Sequence, residues 1–131
     1  MGMFDAIGIA STGLTVHRKW MDAISDNIAN VNTVKPMSGA AFQARYVEVQ
    51  EGEGVSGVYV KAAAFGSAEG RVTYSPDDPQ ADKDGYVRMP DIDLGTQMAD
   101  LIMAQRGYQA NAAVVDRAKT SYEAALQIGR N

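Results

Sequence analysis

Cysteine is absent from all 131 residues. That excludes a disulfide framework and any thiolate metal site. Histidine occurs once, as His17, with no cysteine to partner it. Neither sign of charge dominates. The 12 basic and 16 acidic side chains leave a net charge of −4, spread along the chain, so no basic patch points to nucleic acid. No apolar run approaches the ~20 residues that span a bilayer, and no membrane insertion is expected. The apolar opening stretch, Met1 to Leu14, lacks the positive charge that precedes a secretory signal's core. Its only charge is Asp5, and the first basic residue is Arg18. If the chain leaves the cytoplasm, the expected route is one that does not cleave this end. Neither a G-x-S-x-G motif nor a Gly-rich phosphate loop occurs. No enzyme, catalytic residue, cofactor or metal is expected.

What is present lies mainly at the two ends. Ile7, Ala10, Leu14, His17, Met21, Ile24, Ile28 and Val31 step by three and four residues in turn. So do Leu94, Met98, Leu101, Gln105, Tyr108, Ala112, Val115, Lys119, Tyr122 and Leu126. This is the spacing of a coiled-coil seam. The first stripe predicts a helix from about Phe4 to Asn32, closed by Pro36, which pushes Lys35 out of helical geometry. Gly8 and Gly13 each weaken it by ~1 kcal/mol relative to Ala, so it needs a packing partner. The second predicts a helix entered after Pro90, capped by Asp91 or Asp93, and stopped at Gly129. Between them, Arg45 to Gln50, Val58 to Ala62, Arg71 to Tyr74 and Tyr86 to Met89 read as short strands, with Asp84-Gly85 as a turn. The expected fold is mainly α with a small β-containing insert. Residues 1–32 and 91–131 pair as a discontinuous coiled-coil-like unit, and 33–90 form the insert.

Two motifs need weighing. In Asp77 to Gly85, the first position of an EF-hand loop would be Gln80 and the twelfth Asp91 rather than Glu, so a solvated turn is the better reading. Asn27, Asn30 and Asn32 crowd a helix end although Asn is a mediocre helix former. Fraying with a cap is the plain reading. Amides that hydrogen-bond across a helix interface and fix its register are the sharper one.

The segment Ile24 to Thr33, I-S-D-N-I-A-N-V-N-T, resembles the N-terminal signature of the rod and hook family of bacterial flagellar axial proteins. Met98 to Val115 resembles that family's C-terminal helix. The stretch from Tyr74 through Pro79 and from Asp84 to Pro90 resembles its proximal rod members. Gly107 stands where the family commonly has Ala, Asp78 where His is frequent, and residues 38–73 match poorly. The resemblance implies a structural subunit of the flagellar basal body, exported uncleaved through the flagellar type III apparatus. It implies that the terminal helices pack with copies of the chain and other rod proteins into a helical tube that transmits torque. It also favours subunit contacts for the asparagines. The expected interface residues are Leu14, Met21, Ile24, Asn27, Ile28, Asn30, Val31 and Asn32, with Leu101, Gln105, Tyr108, Asn111 and Val115 opposite. The alternatives are a soluble coiled-coil adaptor or flagellar export chaperone, and a small hydrolase using Asp77, Asp82 and Asp84.

Overall fold

The computed structural model describes residues 2–130; Met1 and Asn131, the outer limits of the expected helical unit, lie outside them. Two long helices, α1 (Met3–Ala29) and α2 (Leu94–Arg130), come from opposite ends of the sequence and pack together. Between them, β1 (Arg45–Glu51) and β2 (Val58–Phe65) form one antiparallel hairpin. A second antiparallel pair is β3 (Arg71–Tyr74) with β4 (Tyr86–Met89). The β-branched runs thus make the strands expected of them. The turn before β4 is set by Asp82, whose Oδ1 accepts the N–H groups of Asp84 and Tyr86 at 2.9 Å each, and by Gly85 at φ 86°.

The helix pair is antiparallel. Asn27 meets Gln97, with 3.0 Å between Nδ2 and Oε1, and Phe4 meets Tyr122 edge-on, centroids 5.3 Å apart. Between these ends the helices touch through small residues. Ala104 is wholly buried. A Cβ on Gly13 would stand 2.6 Å from the Asn111 side chain, and one on Gly107 would collide with the His17 ring. His17 and Asn111 each turn back on the glycine of their own helix. His17 Nδ1–H donates to the Gly13 carbonyl at 2.7 Å, and Asn111 Nδ2 donates to the Gly107 carbonyl at 2.9 Å. Each helix therefore offers one notch and one polar side chain four residues on, and the antiparallel arrangement seats each side chain in the other helix's notch.

This corrects the expected seam. The α1 stripe is buried or half-buried throughout. The α2 stripe is covered only in part: Leu94, Met98, Tyr108, Tyr122 and Leu126 remain exposed, although Tyr122 keeps its edge contact with Phe4 and Leu101 and Val115 are half-buried. The inner line of α2 is Gln97, Ala104, Gly107 and Asn111 instead. Small residues let the backbones approach, while Leu94 and Leu126 lie beyond the two ends of α1 and have no α1 residue opposite. Gly13 and Gly107 are accordingly close-packing positions as well as weak helix formers.

Both helix ends differ from expectation. α1 stops at Ala29, because Asn30 leaves helical geometry at φ −107°, ψ 8°. Its Nδ2 donates to the Asp26 carbonyl and its Oδ1 accepts the Thr33 hydroxyl. α2 continues through Gly129 to Arg130, since the ~1 kcal/mol that glycine costs a helix does not break an exposed final turn. Its start is capped by Asp93. Oδ2 accepts the Thr96 hydroxyl at 2.6 Å and the Thr96 N–H at 3.2 Å.

Two predictions follow from these helix positions. Apart from its chain neighbours and the adjoining backbone of α1, nothing lies within 4 Å of a Cβ built on Gly8. Gly8→Ala should stabilise the chain by up to ~1 kcal/mol. Gly107→Ala gains the same propensity but displaces His17, an overpacking that costs ~1–3 kcal/mol, and should lower the melting temperature. Equal gains from both would contradict the interlock. The second concerns acid. The Thr96 side-chain bond, then the Thr96 backbone bond, hold the Asp93 carboxyl below its ordinary 3.8. A lowered folded value stabilises the helix start fully above pH 3.8 and loses that contribution as pH falls through the folded value. Exchange at the Thr96 amide should accelerate across that acid range beyond its intrinsic pH dependence. Asp93→Asn, which keeps a capping oxygen but does not titrate, should lack that step.

Candidate functional site: the helix faces and the buried amide node

The β1–β2 hairpin lies along α1, pinned at both ends. At its turn, the Val58 N–H donates to Thr12 Oγ1 at 3.1 Å. Gly57, at φ +83°, sits so close to α1 that a Cβ would strike Thr12 and stand 3.3 Å from the Ile9 Cα. At its base, Asn27 Oδ1 accepts the Arg45 N–H at 2.7 Å and Asn27 Nδ2 donates to the Arg45 carbonyl at 2.9 Å. The same Nδ2 donates to Gln97 of α2. Arg45 also pairs with Asp26 at 2.8 Å, both half exposed, a pair worth ~0–1 kcal/mol. Between the pins, a register shift after Glu48 breaks the ladder. An apolar cavity of about 320 Å³ opens there, lined by Val16, His17, Trp20, Val47, Val49 and Val58.

The expected interface residues divide by burial. Ile24 and Asn27 are 2% and 1% exposed, so neither is free to touch a neighbouring subunit. Asn27 is corrected from an intersubunit residue to an internal one, because its amide is spent on β1 and α2. Asn111 is half-buried and spent on the Gly13 notch. Asn30 serves the end of its own helix. Leu14, Met21, Ile28 and Val31 are half-buried on or just after α1, as are Leu101 and Val115 on α2. Asn32, Gln105 and Tyr108 are exposed. Leu14 and Tyr108 border one shallow cleft on the outside of the helix pair, together with Arg18.

Sequence reasoning missed Gln97, Arg45, Thr12 and Gly57. Gln97 carried a usable signal, since Gln97, Ala104 and Asn111 repeat every seven residues beside the large stripe. The acidic residues read as hydrolase candidates stand in the turn before β4, with Asp82 occupied by backbone N–H groups. Among the described residues, no three His, Cys, Asp or Glu side chains are grouped as a metal would require. No described helix is long and apolar enough to cross a membrane.

Paired terminal helices with an insert between them agree with what sequence comparison finds. Residues 7–36 match the profile described as flagella basal body rod protein. Residues 83–128 match the flagellar basal body rod FlgEFG protein C-terminal profile. The flagellar basal-body rod protein FlgC of Borreliella burgdorferi is 33% identical over 98% of both chains. The chain belongs to the FlgC family of flagellar basal-body rod proteins. FlgC of Salmonella typhimurium is 30% identical over 99% of this chain and all of its own. FlgC of Aquifex aeolicus is 34% identical over 94% of each. The first profile covers α1 from residue 7 together with its exit, and the second covers β4 and nearly all of α2.

The node makes a stability prediction. Asn27→Ala adds helix propensity of under ~1 kcal/mol. It leaves the part-buried Arg45 N–H and C=O and the buried Gln97 oxygen without their partner, up to ~1–3 kcal/mol where water cannot replace it. Chemical denaturation of the free chain should show a net loss of stability. A variant as stable as wild type would return Asn27 to an intersubunit role.

Proposed function

We propose that this chain is a structural subunit of the proximal rod of the flagellar basal body, delivered through the flagellar type III export apparatus. Residues 1–32 and 91–131 act as its assembly unit, and 33–90 are carried as an insert. The observation behind this is the apolar surface that α2 leaves uncovered. Met98, Ile102 and Tyr108 are exposed beside the helix pair, and Leu126 is exposed where α2, about 55 Å long, runs past the start of α1. Monomeric proteins seldom leave large apolar patches uncovered. A stripe of this kind is suited to lie against copies of the chain and other rod proteins. A heterologous contact that repeats without closing generates a helical tube, and torque is then shared over many interlocked helices. The proposed contacts are Leu14, Met21, Ile28, Val31 and Asn32 on the α1 side, and Leu101, Gln105, Tyr108 and Val115 on α2. No catalytic role is proposed.

Leu126 is half exposed. Leu126→Asp should therefore change the free chain's stability by no more than ~0.5 kcal/mol, yet remove the protein from isolated basal bodies and stop swimming. Normal swimming, with the variant protein present in basal bodies, would reject the stripe as an assembly face.

A further inference from the structure

We propose that Asn27 couples docking of the β1–β2 hairpin to pairing of the terminal helices, so that the hairpin is held in place only in a chain whose two ends have met. The role in assembly rests on the rod-subunit reading above; the coupling itself rests on the node. The Asn27 carboxamide offers two N–H donors and one oxygen to its partners here. One donor is taken by Gln97 Oε1 on α2 and the other by the Arg45 carbonyl, while the oxygen takes the Arg45 N–H. All three bonds require the same orientation of the amide. Turned over, its oxygen would face the Arg45 carbonyl and its NH₂ would face the Arg45 N–H. The Arg45 backbone, whose donor and acceptor cannot exchange places, therefore sets the amide in the orientation that directs its remaining N–H to Gln97 Oε1 on α2. Hydrogen bonds sharing a buried group reinforce one another in this way. With Asn27 at 1% and Gln97 at 4% exposure, water has little access to replace a missing partner.

The rest of the hairpin makes this node matter. Over the apolar cavity between the pins, β1 and β2 do not pack tightly on α1. The hairpin's side-chain hydrogen bonds to α1 are the Thr12 pin, the Asn27 pin and the half-exposed Arg45–Asp26 pair, and of these only Asn27 also reaches α2. Coupling of this kind is reciprocal: in a rod subunit the paired helices favour the docked hairpin and the docked hairpin favours the paired helices.

The test uses the free chain. Gln97→Met keeps approximate side-chain volume and removes the acceptor. Hydrogen exchange read by mass spectrometry should show residues 45–51 and 58–65 exchanging about ten-fold faster, with 8–18 and 104–115 unchanged. Unchanged exchange in the hairpin overturns the proposal. If the variant loosens the helices too, thermal melting of Gln97→Met, Thr12→Val and the double variant decides. Thr12 and Asn27 lie about 22 Å apart along α1, a distance at which independent effects add. Coupling through one hairpin predicts a double variant that loses clearly less than the sum, and simple additivity overturns it. Neither measurement involves the flagellum, so its failure would leave the rod-subunit reading standing, and the reverse also holds.

Discussion

The structure depends on how closely two antiparallel helices approach. Gly13 and Gly107 remove the side chains that would hold the backbones apart, and His17 and Asn111 fill the notches from the opposite helix. Each of these two side chains is tied to the glycine carbonyl of its own helix, which fixes its direction in the seam. A shift of either helix by one turn would drive a ring or an amide onto a residue with a Cβ. The interlock therefore specifies register as well as distance. Helices made marginal by glycine and asparagine acquire in it a partner of defined position.

Close approach has a cost in covered area. A seam of glycine and alanine buries little apolar surface, and the larger residues are displaced to its flanks. For a solitary protein that would be a defect. For a rod subunit it leaves a long apolar face free for neighbours after the subunit has folded. The insert follows the same economy: its first hairpin is held to α1 by side-chain pins at its two ends rather than by a continuous core.

Much of this was legible in the sequence, and the remainder was not for physical reasons. The helices were marked by their period and by Pro90 and Asp93. The strands were marked by β-branched runs and by Asp84-Gly85. The inner face of α2 was not, because periodicity weighs large apolar residues, and here the contact is carried by what is small. The role of Asn27 was not legible either. Its partners, Arg45 and Gln97, stand 18 and 70 residues away, and local sequence cannot tell an amide spent inside a subunit from one offered to a neighbour. Gly129 misled in the opposite sense, since a glycine at an exposed helix end permits a stop without requiring one.

The central claim is that α2 turns its small line inward and its large line toward other subunits. The chain has no cysteine, so single cysteines report without background. Met98→Cys and Ala104→Cys can be compared for maleimide labelling in the free protein and in isolated basal bodies. Position 98 is half exposed and position 104 is fully buried in the subunit. The account predicts rapid labelling at 98 in the free protein and protection in the basal body, with 104 unreactive in both. Labelling at 98 that is as fast in the basal body as in the free chain would contradict it.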